Sequence, residues 1–291
     1  MTTVPLILTL TGNLLAERTL DFETWSPGRT QRARAESFQV GGKGINVARM
    51  LRRLGAPHLA LGFAGGATGA ECDAWLRARG FHHQLFRTVG STRVGTVVRA
   101  ADRPETTFLG PDVPPDAEAA SACAAFLDAQ PACNVLAVCG SLPGWATPAL
   151  APLRDALARW ARRSVLAVDT YGPALADLVA LGPDLVKINA QEFAGLPESV
   201  RSGSSSHATR WIVTDGPGPV RVRDAAGERN FLPPKVTEVS PTGSGDVLFA
   251  CVLAALYQRG STLDAAVRQA LPSAAANAAH PGIAEFPEPA A

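Results

Sequence analysis

Paired cysteines, lysines and long apolar runs are all scarce in this sequence of 291 residues. Its five cysteines are an odd number, and no two of them form the CxxC pair that marks many zinc and redox sites. We therefore expect free thiols, as in a reducing compartment, and no metal held by cysteine. No apolar run approaches the roughly 18 residues of a membrane span, and the first residues lack the basic region of a signal peptide. We expect a cytoplasmic protein with no membrane partner.

A strong charge of either sign is also absent. The chain has 27 basic and 26 acidic residues and a net charge of +1, which disfavours nucleic acid as a partner. Only Lys43, Lys187 and Lys235 are lysines. A codon preference explains the excess of arginine simply, but the rare lysines are expected to mark places that need a compact ammonium group. Hydrophobic residues make up 46% of the chain, enough for a large core.

Short apolar runs without alternation recur along the chain, separated by helical stretches such as residues 147–163. Such runs are typical of parallel strands that are covered on both faces. Alternation of strand and helix predicts an α/β fold with a doubly wound, mostly parallel, Rossmann-like sheet. The predicted strands lie at residues 5–10, 135–139, 165–169, 184–188 and 211–214.

Two stretches break this pattern because polar and apolar residues alternate in them. Residues 17–25 with 36–40, and residues 92–110, predict half-exposed antiparallel strands. We expect them to form a small inserted sheet, built from segments near 13–40 and 92–110. This sheet would cover a site, form a dimer surface, or do both.

Common nucleotide-binding patterns are missing: there is neither a Walker A motif nor a GxGxxG motif. Internal repeats are missing too, and we expect residues 1–291 to form a single domain. Residues 201–207 predict a polar loop, and the tail after Gly282 is expected to be loosely ordered.

The stretch "VSPTGSGDVLFACVLAAL", residues 239–256, passes from two glycines into a run with almost no polar residue. Gly243 and Gly245 favour a tight turn whose amides face one point, and residues 247–257 predict a buried helix. The start of such a helix binds anions because its first N–H groups lack partners. Asp246 brings a negative charge to the same place. It is either an ordinary N-cap or a group with a chemical role.

A second glycine-rich turn, "GGKGINVARMLRRLG" at residues 41–55, also leads into a helix. Lys43 and Asn46 lie at the helix start among backbone amides, which suits a polyhydroxylated or phosphorylated ligand. A solvent-exposed turn without a ligand explains the same residues. The helix is expected to end near Gly55 and to bury Val47, Met50, Leu51 and Leu54.

Further candidates follow predicted strands. "KINAQEF", residues 187–193, places Asn189 and Glu192 beyond a strand end, where open parallel sheets bind ligands. The two side chains suit the water molecules around a nucleotide-bound Mg²⁺ ion, or they form a capping box for the next helix. "TDG" at 214–216 is a second candidate for nucleotide contact. Asp169 also ends a strand, and we expect it to be structural.

Two of these motifs together resemble the signature regions of the ribokinase-like (PfkB) carbohydrate kinases. "GGKGINVAR" begins at residue 41 and "PTGSGD" at residue 241, in the order of that family. The wording is most similar to the branch of 1-phosphofructokinase and tagatose-6-phosphate kinase, which phosphorylate sugar phosphates. The resemblance extends over nearly the whole chain, through "GSLPG" (140–144), "DTYGPAL" (169–175), "KINAQE" (187–192) and "PPKV" (233–236).

The resemblance implies roles at the phosphoryl-transfer site, with ATP and Mg²⁺ as cofactors. Asp246 would be the general base that takes the proton of the attacking sugar hydroxyl. The amides of Gly243, Ser244 and Gly245 would form an anion hole for the transferred phosphoryl group. The Mg²⁺ ion would be held through water by Asn189 and Glu192. The other nucleotide-binding positions would be Lys187, Thr214, Gly216 and, on the adenine side, Asn277.

On the acceptor side, the resemblance implies contacts from the first glycine-rich turn and the inserted strands. Arg93 matches an arginine that grips the existing phosphate of the substrate, a task that suits the guanidinium fork. Three positions depart from the family: Glu17 replaces an aspartate, Gly95 an asparagine, and Tyr171 a small residue. The sugar-binding positions would be Glu17, Gly42, Lys43 and Asn46.

One function and two alternatives follow from these implications. The expected function is ATP-dependent phosphorylation of a sugar phosphate of the fructose 1-phosphate, fructose 6-phosphate or tagatose 6-phosphate type, by an enzyme whose small sheet closes as a lid and forms a homodimer. The first alternative is a kinase of a free sugar or nucleoside, which would leave Arg93 without a phosphate to bind. The second is an inactive sugar-binding regulatory protein, which the presence of Asp246 and its glycines disfavours.

Overall fold

The computed structural model describes residues 4–201 and 209–287. Except for Arg201, the predicted polar loop lies outside these residues. The strands are β1 (Ile7–Thr11), β2 (Leu15–Phe22), β3 (Ala35–Gly41), β4 (His58–Ala64), β5 (His83–Arg87), β6 (Arg93–Ala100), β7 (Arg103–Leu109), β8 (Val135–Cys139), β9 (Val165–Asp169), β10 (Leu185–Asn189), β11 (Arg210–Thr214), β12 (Val220–Asp224) and β13 (Gly227–Phe231). The helices are α1 (Lys43–Arg53), α2 (Gly66–Ala78), α3 (Ala117–Asp128), α4 (Ala151–Arg163), α5 (Pro173–Ala180), α6 (Ala190–Ala194), α7 (Glu198–Arg201), α8 (Ser244–Leu253) and α9 (Leu263–Ala278).

Nine of these strands form one large sheet in the order β13-β12-β11-β10-β9-β8-β1-β4-β5. Neighbours from β11 to β5 are parallel, and the pairs β11–β12 and β12–β13 at one edge are antiparallel. The predicted doubly wound α/β fold with a mostly parallel sheet is confirmed. The five predicted strands correspond to β1, β8, β9, β10 and β11, and the other four strands are additional to them.

The central strands are buried on both faces, which explains their unbroken apolar sequences. Along β1, Ile7 packs in one hydrophobic cluster and Leu8 in another, because neighbouring residues of a strand point to opposite faces. Helices α1, α8 and α9 cover the face of Ile7, and α3, α4 and α5 cover the face of Leu8. With both faces covered, the polar groups at the carboxyl ends of the strands are left to form a site.

The second, small sheet has four strands in the order β3-β2-β6-β7 and combines the two inserted stretches. Its outer pairs β2–β3 and β6–β7 are antiparallel, whereas the central pair β2–β6 is parallel, with Glu17 opposite Gly95. The predicted antiparallel pairing is confirmed within each inserted stretch, whereas the parallel pairing between the two stretches is not predicted from the sequence. Alternation of polar and apolar residues predicts a half-exposed strand, but it carries no information on the direction of a distant partner.

The two glycine-led helices are largely as predicted. Residues 246–253 of α8 are all buried, and residues 254–258 extend the helix as a π-helical turn. Helix α1 buries Val47, Met50 and Leu51, but Leu54 is its C-cap and is 38% exposed. The helix ends at Arg53, two residues before Gly55, so the fourth predicted core residue already belongs to the turn.

The tail after Gly282 is not loose over the part that the structure describes, to residue 287. Phe286 is 1% exposed within the core cluster of α1 and α8, and the guanidinium of Arg53 lies 4.4 Å from its ring centroid. The expectation of a loose tail is wrong because one aromatic residue anchors a segment that is otherwise polar or small. The cysteines are free, as expected. Over residues 4–201 and 209–287, no helix combines the length and the apolar character that crossing a membrane would require.

Candidate active site

A cavity of about 440 Å³ lies where the carboxyl ends of the large sheet meet the small sheet. Thr11, Cys139 and Asn189 line it from the ends of β1, β8 and β10. Open parallel sheets bind ligands at this edge. The cavity brings together most of the predicted site residues, namely Glu17, Gly42, Lys43, Asn46, Arg93, Lys187, Asn189, Thr214, Gly243, Gly245 and Asp246.

The turn at residues 241–246 supplies unpaired backbone N–H groups to this cavity. Gly243 is the N-cap of α8 with a φ of 78°, a left-handed conformation that favours glycine. Among the described residues, the N–H groups of Gly243, Gly245 and Asp246 have no hydrogen-bond acceptor. Ser244, predicted as a third donor, instead donates its N–H to Pro241 O at 3.2 Å. The available donors are therefore the amides of the two glycines and of Asp246.

Both glycines of this turn leave no room for a side chain. A Cβ atom at Gly245 would lie 2.5 Å from Lys187 Nζ, and one at Gly243 would lie 2.7 Å from Ile283 Cγ2. These distances are well below ordinary carbon contact distances. Glycine is therefore needed for close packing as well as for the turn itself.

Asn277 holds this turn from behind. It is fully buried, and its Nδ2 donates to Thr242 O at 3.0 Å and to Ser244 Oγ at 3.1 Å. Its Oδ1 accepts from the N–H of Ala284 at 2.9 Å. The predicted contact of Asn277 with the adenine is wrong for this structure, because the side chain has no exposed surface. It positions the turn and ties the chain's last segment to it.

Asp246 does not cap the helix. It lies in the first turn of α8, is 5% exposed, and its Oδ2 accepts from Asn46 Nδ2 of α1 at 2.7 Å. Burial, with repulsion from Asp169 as the second cause, raises the pKa of Asp246 to about 6. The carboxyl group is thus largely ionised at neutral pH yet basic enough to accept a proton, which is the property that a general base needs.

Asp169 is the centre of charge of the site. It is fully buried and accepts from Lys43 Nζ and Lys187 Nζ, each at 2.8 Å. Burial opposes its ionisation, but the two ammonium groups outweigh burial and hold the pKa of Asp169 below its usual value. Asp169 thus holds two of the chain's three lysines beside the glycine turn and the first turn of α1. The expected structural role of Asp169 is incomplete, because Asp169 also fixes two cations of the site. These partners are distant along the chain, so the sequence around Asp169 does not reveal them.

Asn189 and Glu192 form the capping box of α6. Asn189 Oδ1 accepts from the N–H of Glu192, and Glu192 Oε2 accepts from the N–H of Asn189, both at 2.8 Å. The capping alternative is thereby confirmed, and Asn189 also lines the cavity. Glu192 does not line it, but its Oε1 lies 3.8 Å from Lys43 Nζ.

The side chains of Asn189 and Glu192 fit a Mg²⁺ ion in one way, through a water molecule. Over the described ranges no group of three or more His, Cys, Asp and Glu side chains could hold a metal ion. Mg²⁺ commonly keeps several waters and is bound by one or two carboxylates plus substrate phosphates. Glu192 Oε1, which the capping box leaves available, fits such an ion through a water molecule.

The two predicted nucleotide positions after β11 differ in placement. Thr214 lines the cavity, and its Oγ1 donates to Ile188 O at 3.4 Å. Gly216 has a φ of 52° in the exposed turn that follows and does not line the cavity. Gly216 instead forms the turn by which the chain leaves the end of β11.

The start of α1 packs closely against β1 and the cavity. Gly42 has a φ of 120°, and an added Cβ would lie 2.6 Å from Thr11 Cγ2. Lys43 Nζ lies 5.3 Å from the ring centroid of Tyr171, a residue that also lines the cavity. Burial opposes the charge of Lys43, but Asp169, Asp246 and Glu192 raise its pKa above the ordinary value. Lys43 therefore stays cationic at the base of the cavity.

Glu17 lies in the small sheet and faces the cavity within a hydrogen-bond chain. Its Oε1 accepts from Gln39 Nε2, and Gln39 Oε1 accepts from Arg49 Nη2 at 3.0 Å. Glu17 and Gln39 both line the cavity. The departure from aspartate is thus accommodated by a neighbouring amide on β3, which itself is held by α1.

Arg93 is nearly buried, with a side chain 10% exposed, and lines the cavity from β6. Its Nη1 donates to Asp112 Oδ1 at 2.9 Å, and Asp112 Oδ1 also accepts from Asn13 Nδ2 at 2.7 Å. Arg99, further along β6, lines the same cavity and pairs with Glu105 at 2.6 Å. Sequence reasoning overlooked Arg99 and Asp112; the alternation of β6 was the available signal for Arg99.

The sequence pattern of the pfkB family carbohydrate kinases matches residues 10–291. The chain is 31% identical over 260 residues to a 1-phosphofructokinase of Rhodobacter capsulatus, a match that covers 84% of this chain and 81% of that protein. It is 28% identical over 245 residues to ATP-dependent 6-phosphofructokinase isozyme 2 of Escherichia coli, with 79% of each chain covered.

The fold is also similar to those of solved carbohydrate-kinase structures. Phosphofructokinase-2 from Escherichia coli in complex with substrates and products matches with a TM-score of 0.85 at 24% identity, over 98% of this chain and 95% of that chain. A ribokinase from Thermotoga maritima matches with a TM-score of 0.71 at 17% identity, over 98% and 96% of the two chains. At these identities the likeness shows a ribokinase-like fold.

Proposed function

Because this chain belongs to the pfkB family of carbohydrate kinases, we propose that it transfers the γ-phosphoryl group of ATP to a hydroxyl group of a ketohexose phosphate. The observation that carries the proposal is the juxtaposition of Asp246 with unpaired amides at the start of α8. A buried carboxylate with a pKa of about 6 accepts the proton of the attacking hydroxyl. The free N–H groups of Gly243 and Gly245 stabilise the charge on the transferred group.

The reaction then depends mainly on positioning and on charge. Phosphoryl transfer needs the nucleophile in line with the leaving oxygen and a positive environment for the equatorial oxygens. The start of α8 supplies that environment, and one well-aimed donor contributes about 3 kcal/mol to transition-state stabilisation. Lys43 and Lys187 add two cations, fixed in place by Asp169 at 2.8 Å. A bound Mg²⁺ ion would neutralise phosphate charge, with Glu192 orienting one of its waters.

The acceptor class is inferred from the arginines of the small sheet. Arg93 and Arg99 both line the cavity, and a guanidinium fork binds the phosphate of a sugar phosphate in bidentate fashion. Arg93 is engaged by Asp112, whose carboxylate is 57% exposed. We expect the substrate phosphate to displace this carboxylate from Arg93, because a phosphate dianion carries more charge than one solvent-exposed carboxylate.

One observation favours the alternative of a free sugar or nucleoside as acceptor. In this structure Asp112 already neutralises Arg93, so an uncharged acceptor would leave the ion pair intact. The two alternatives therefore differ in what they require of Arg93. A substrate phosphate needs its charge, and a free sugar does not.

The small sheet would act as the lid of this site. Glu17 and Arg93 reach the cavity from it, whereas Asp246 reaches the cavity from the large sheet's side. Movement of the small sheet toward α8 would bring acceptor and base together and exclude water. Its exposed apolar residues would form the dimer surface of a homodimer.

The test is ADP release by the purified protein with ATP and Mg²⁺ over a panel of acceptors. The panel contains fructose 1-phosphate, fructose 6-phosphate, tagatose 6-phosphate, fructose, ribose and adenosine, with Asp246→Asn as the blank. We expect turnover with one of the sugar phosphates, and we expect Arg93→Met to raise KM for that acceptor by about 100-fold, as expected from the loss of a charge-assisted bidentate contact. Turnover confined to free sugars or adenosine, and unchanged in Arg93→Met, would instead support the alternative.

A further inference from the structure

A second pocket, of about 330 Å³, lies beside the C-terminal half of α1 and carries an excess of positive charge. Arg49, Arg52 and Arg53 of α1 line it together with Arg79, the C-cap of α2. Glu285 is the single acidic residue that lines it within the described chain. Arg49, Arg52 and Arg79 thus give three guanidinium groups to one carboxylate of the described chain. The proposed kinase reaction does not use this combination.

Aromatic rings hold these arginines in place. The guanidinium groups of Arg49 and Arg79 each lie 5.0 Å from the ring centroid of Trp75, and that of Arg52 lies 5.2 Å from the ring centroid of Phe81. Stacking on a ring is favourable for a cation and leaves the N–H edge of the guanidinium available for hydrogen bonds. The pocket is therefore pre-organised for an anion before any ligand binds.

Arg49 is the most buried of the four side chains. Its side chain is 8% exposed, its Nε has no hydrogen-bond partner, and Glu285 Oε1 is 3.8 Å from its Nη1. Burial lowers the pKa of Arg49. The charges of Glu285 and Glu17 oppose this effect, and repulsion from Arg79 adds to it. A buried cation whose carboxylate partner is beyond hydrogen-bond distance gains from an additional anion.

We propose that this pocket binds a small phosphate-bearing molecule with at least two negative charges, and that the bound anion supports the acceptor side of the active site. The link is short: Arg49 Nη2 donates to Gln39 Oε1 at 3.0 Å, and Gln39 donates in turn to Glu17. An anion that fixes Arg49 also fixes this chain and the carboxylate at its end. The pocket is thus a regulatory site next to α1, distinct from the cavity of Asp246.

Calorimetric titration of the full chain with inorganic tripolyphosphate tests the site. The double variant Arg52→Gln with Arg79→Gln removes two pocket charges, and we expect its Kd for tripolyphosphate to be at least about tenfold higher than that of the wild type. The matched control is Arg159→Gln with Arg162→Gln on α4, which we expect to bind like the wild type. Equal affinity of the pocket variant and the wild type, or no binding by the wild type, would overturn the proposal.

Glu285→Gln gives a test that misfolding cannot imitate. Since it removes the carboxylate that lines the pocket among the described residues, we expect tighter binding of tripolyphosphate. Binding weaker than that of the wild type would count against the pocket as the site. Tripolyphosphate bound at the candidate active site would respond to neither Glu285 nor the Arg52 and Arg79 pair, so the variants assign the binding location.

The link to the acceptor side rests on the proposed function and has a separate measurement. At saturating ATP, tripolyphosphate should lower KM for the active sugar phosphate by about fivefold without changing kcat. The Arg52 and Arg79 variant should retain its basal turnover and lose this response. An unchanged KM in the wild type would overturn the link. Because the titration needs no turnover, absence of kinase activity would refute the function and leave the binding result standing.

Discussion

At the scale of residues, the site is governed by the unequal sharing of two cations between two buried carboxylates. Asp169 accepts from both Lys43 and Lys187 at 2.8 Å, whereas Asp246 accepts from the neutral amide of Asn46. The pKa of Asp169 is therefore lowered and that of Asp246 is raised to about 6. When neighbouring carboxyl groups are separated in this way, one serves as a fixed anion and the other as the acid or base.

The sequence indicates these roles only in part. Asp246 is predictable because it stands alone between two glycines and an apolar helix. Asp169 looks like any carboxylate at a strand end, since its partners Lys43 and Lys187 are distant along the chain. The scarcity of lysine was the one local signal, and it correctly indicated two positions at which an ammonium group is needed.

The pKa of Asp246 predicts the acid limb of the activity profile. Only the ionised carboxylate accepts a proton, so kcat/KM should fall below a pH of about 6, approaching tenfold for each further pH unit. A profile from pH 4.5 to 8 at constant ionic strength measures this midpoint. A kcat/KM that stays constant down to pH 4.5 would show that Asp246 keeps an ordinary pKa or is not required. The same shift opposes folding as the pH rises through this range, because the folded state holds the proton more tightly than the unfolded chain.

At the scale of elements, the turn at residues 241–246 and helix α8 were the easiest part to predict. A helix that is apolar on all sides must be buried, and its glycines define where it starts. The β12–β13 hairpin is not predicted because "VRVRD" and "GERNF" are short and polar at the edge of the sheet. The parallel pairing of β2 with β6 depends on the tertiary fold, which neither strand records.

Gly245→Ala tests the role of the glycine turn. The added methyl group would lie 2.5 Å from Lys187 Nζ, which Asp169 holds at 2.8 Å, so either the turn or the ion pair must move. We expect kcat to fall by about 100-fold, the loss associated with one misplaced donor of an anion hole. Gly195→Ala is the matched control, because its φ is −75° and its nearest contact would be an ordinary 3.5 Å. Steady-state kinetics with equal activity in both variants would refute a role for close packing at the turn.

At the scale of the whole molecule, the large sheet follows from its apolar runs, whereas the assembly of the site does not. The strand ends bring Asn189 and Thr214 to one edge, as parallel topology requires. The covering of that edge by the small sheet, and the anchoring of the last segment by Phe286 and Asn277, arise from contacts between distant segments. Such contacts can be expected from a family resemblance, but they leave no local pattern in the sequence.

The exposed apolar residues of the small sheet predict self-association. Val94 and Phe108 are 41% and 55% exposed on β6 and β7, on the face of the small sheet opposite the residues that line the cavity. We expect a homodimer through this surface, and we expect Phe108→Asp to shift it toward monomer by at least about tenfold in Kd, as for loss of a buried aromatic anchor. Sedimentation velocity over a concentration series measures this shift. Val89→Asp, at an apolar residue 90% exposed outside the small sheet, is the control, and equal behaviour of both variants would place the interface elsewhere.

The measurement that tests the central claim most directly is turnover by Asp246→Asn beside its binding of ATP. The substitution keeps the shape of the side chain and its hydrogen bond with Asn46, while it removes the proton acceptor. We expect kcat with the active sugar phosphate to fall by at least about 1,000-fold, with the Kd of ATP, the unfolding temperature and the activity of the control Asp128→Asn close to those of the wild type. Turnover by Asp246→Asn within tenfold of the wild type, with ATP bound normally, would contradict the assignment of Asp246 as the general base.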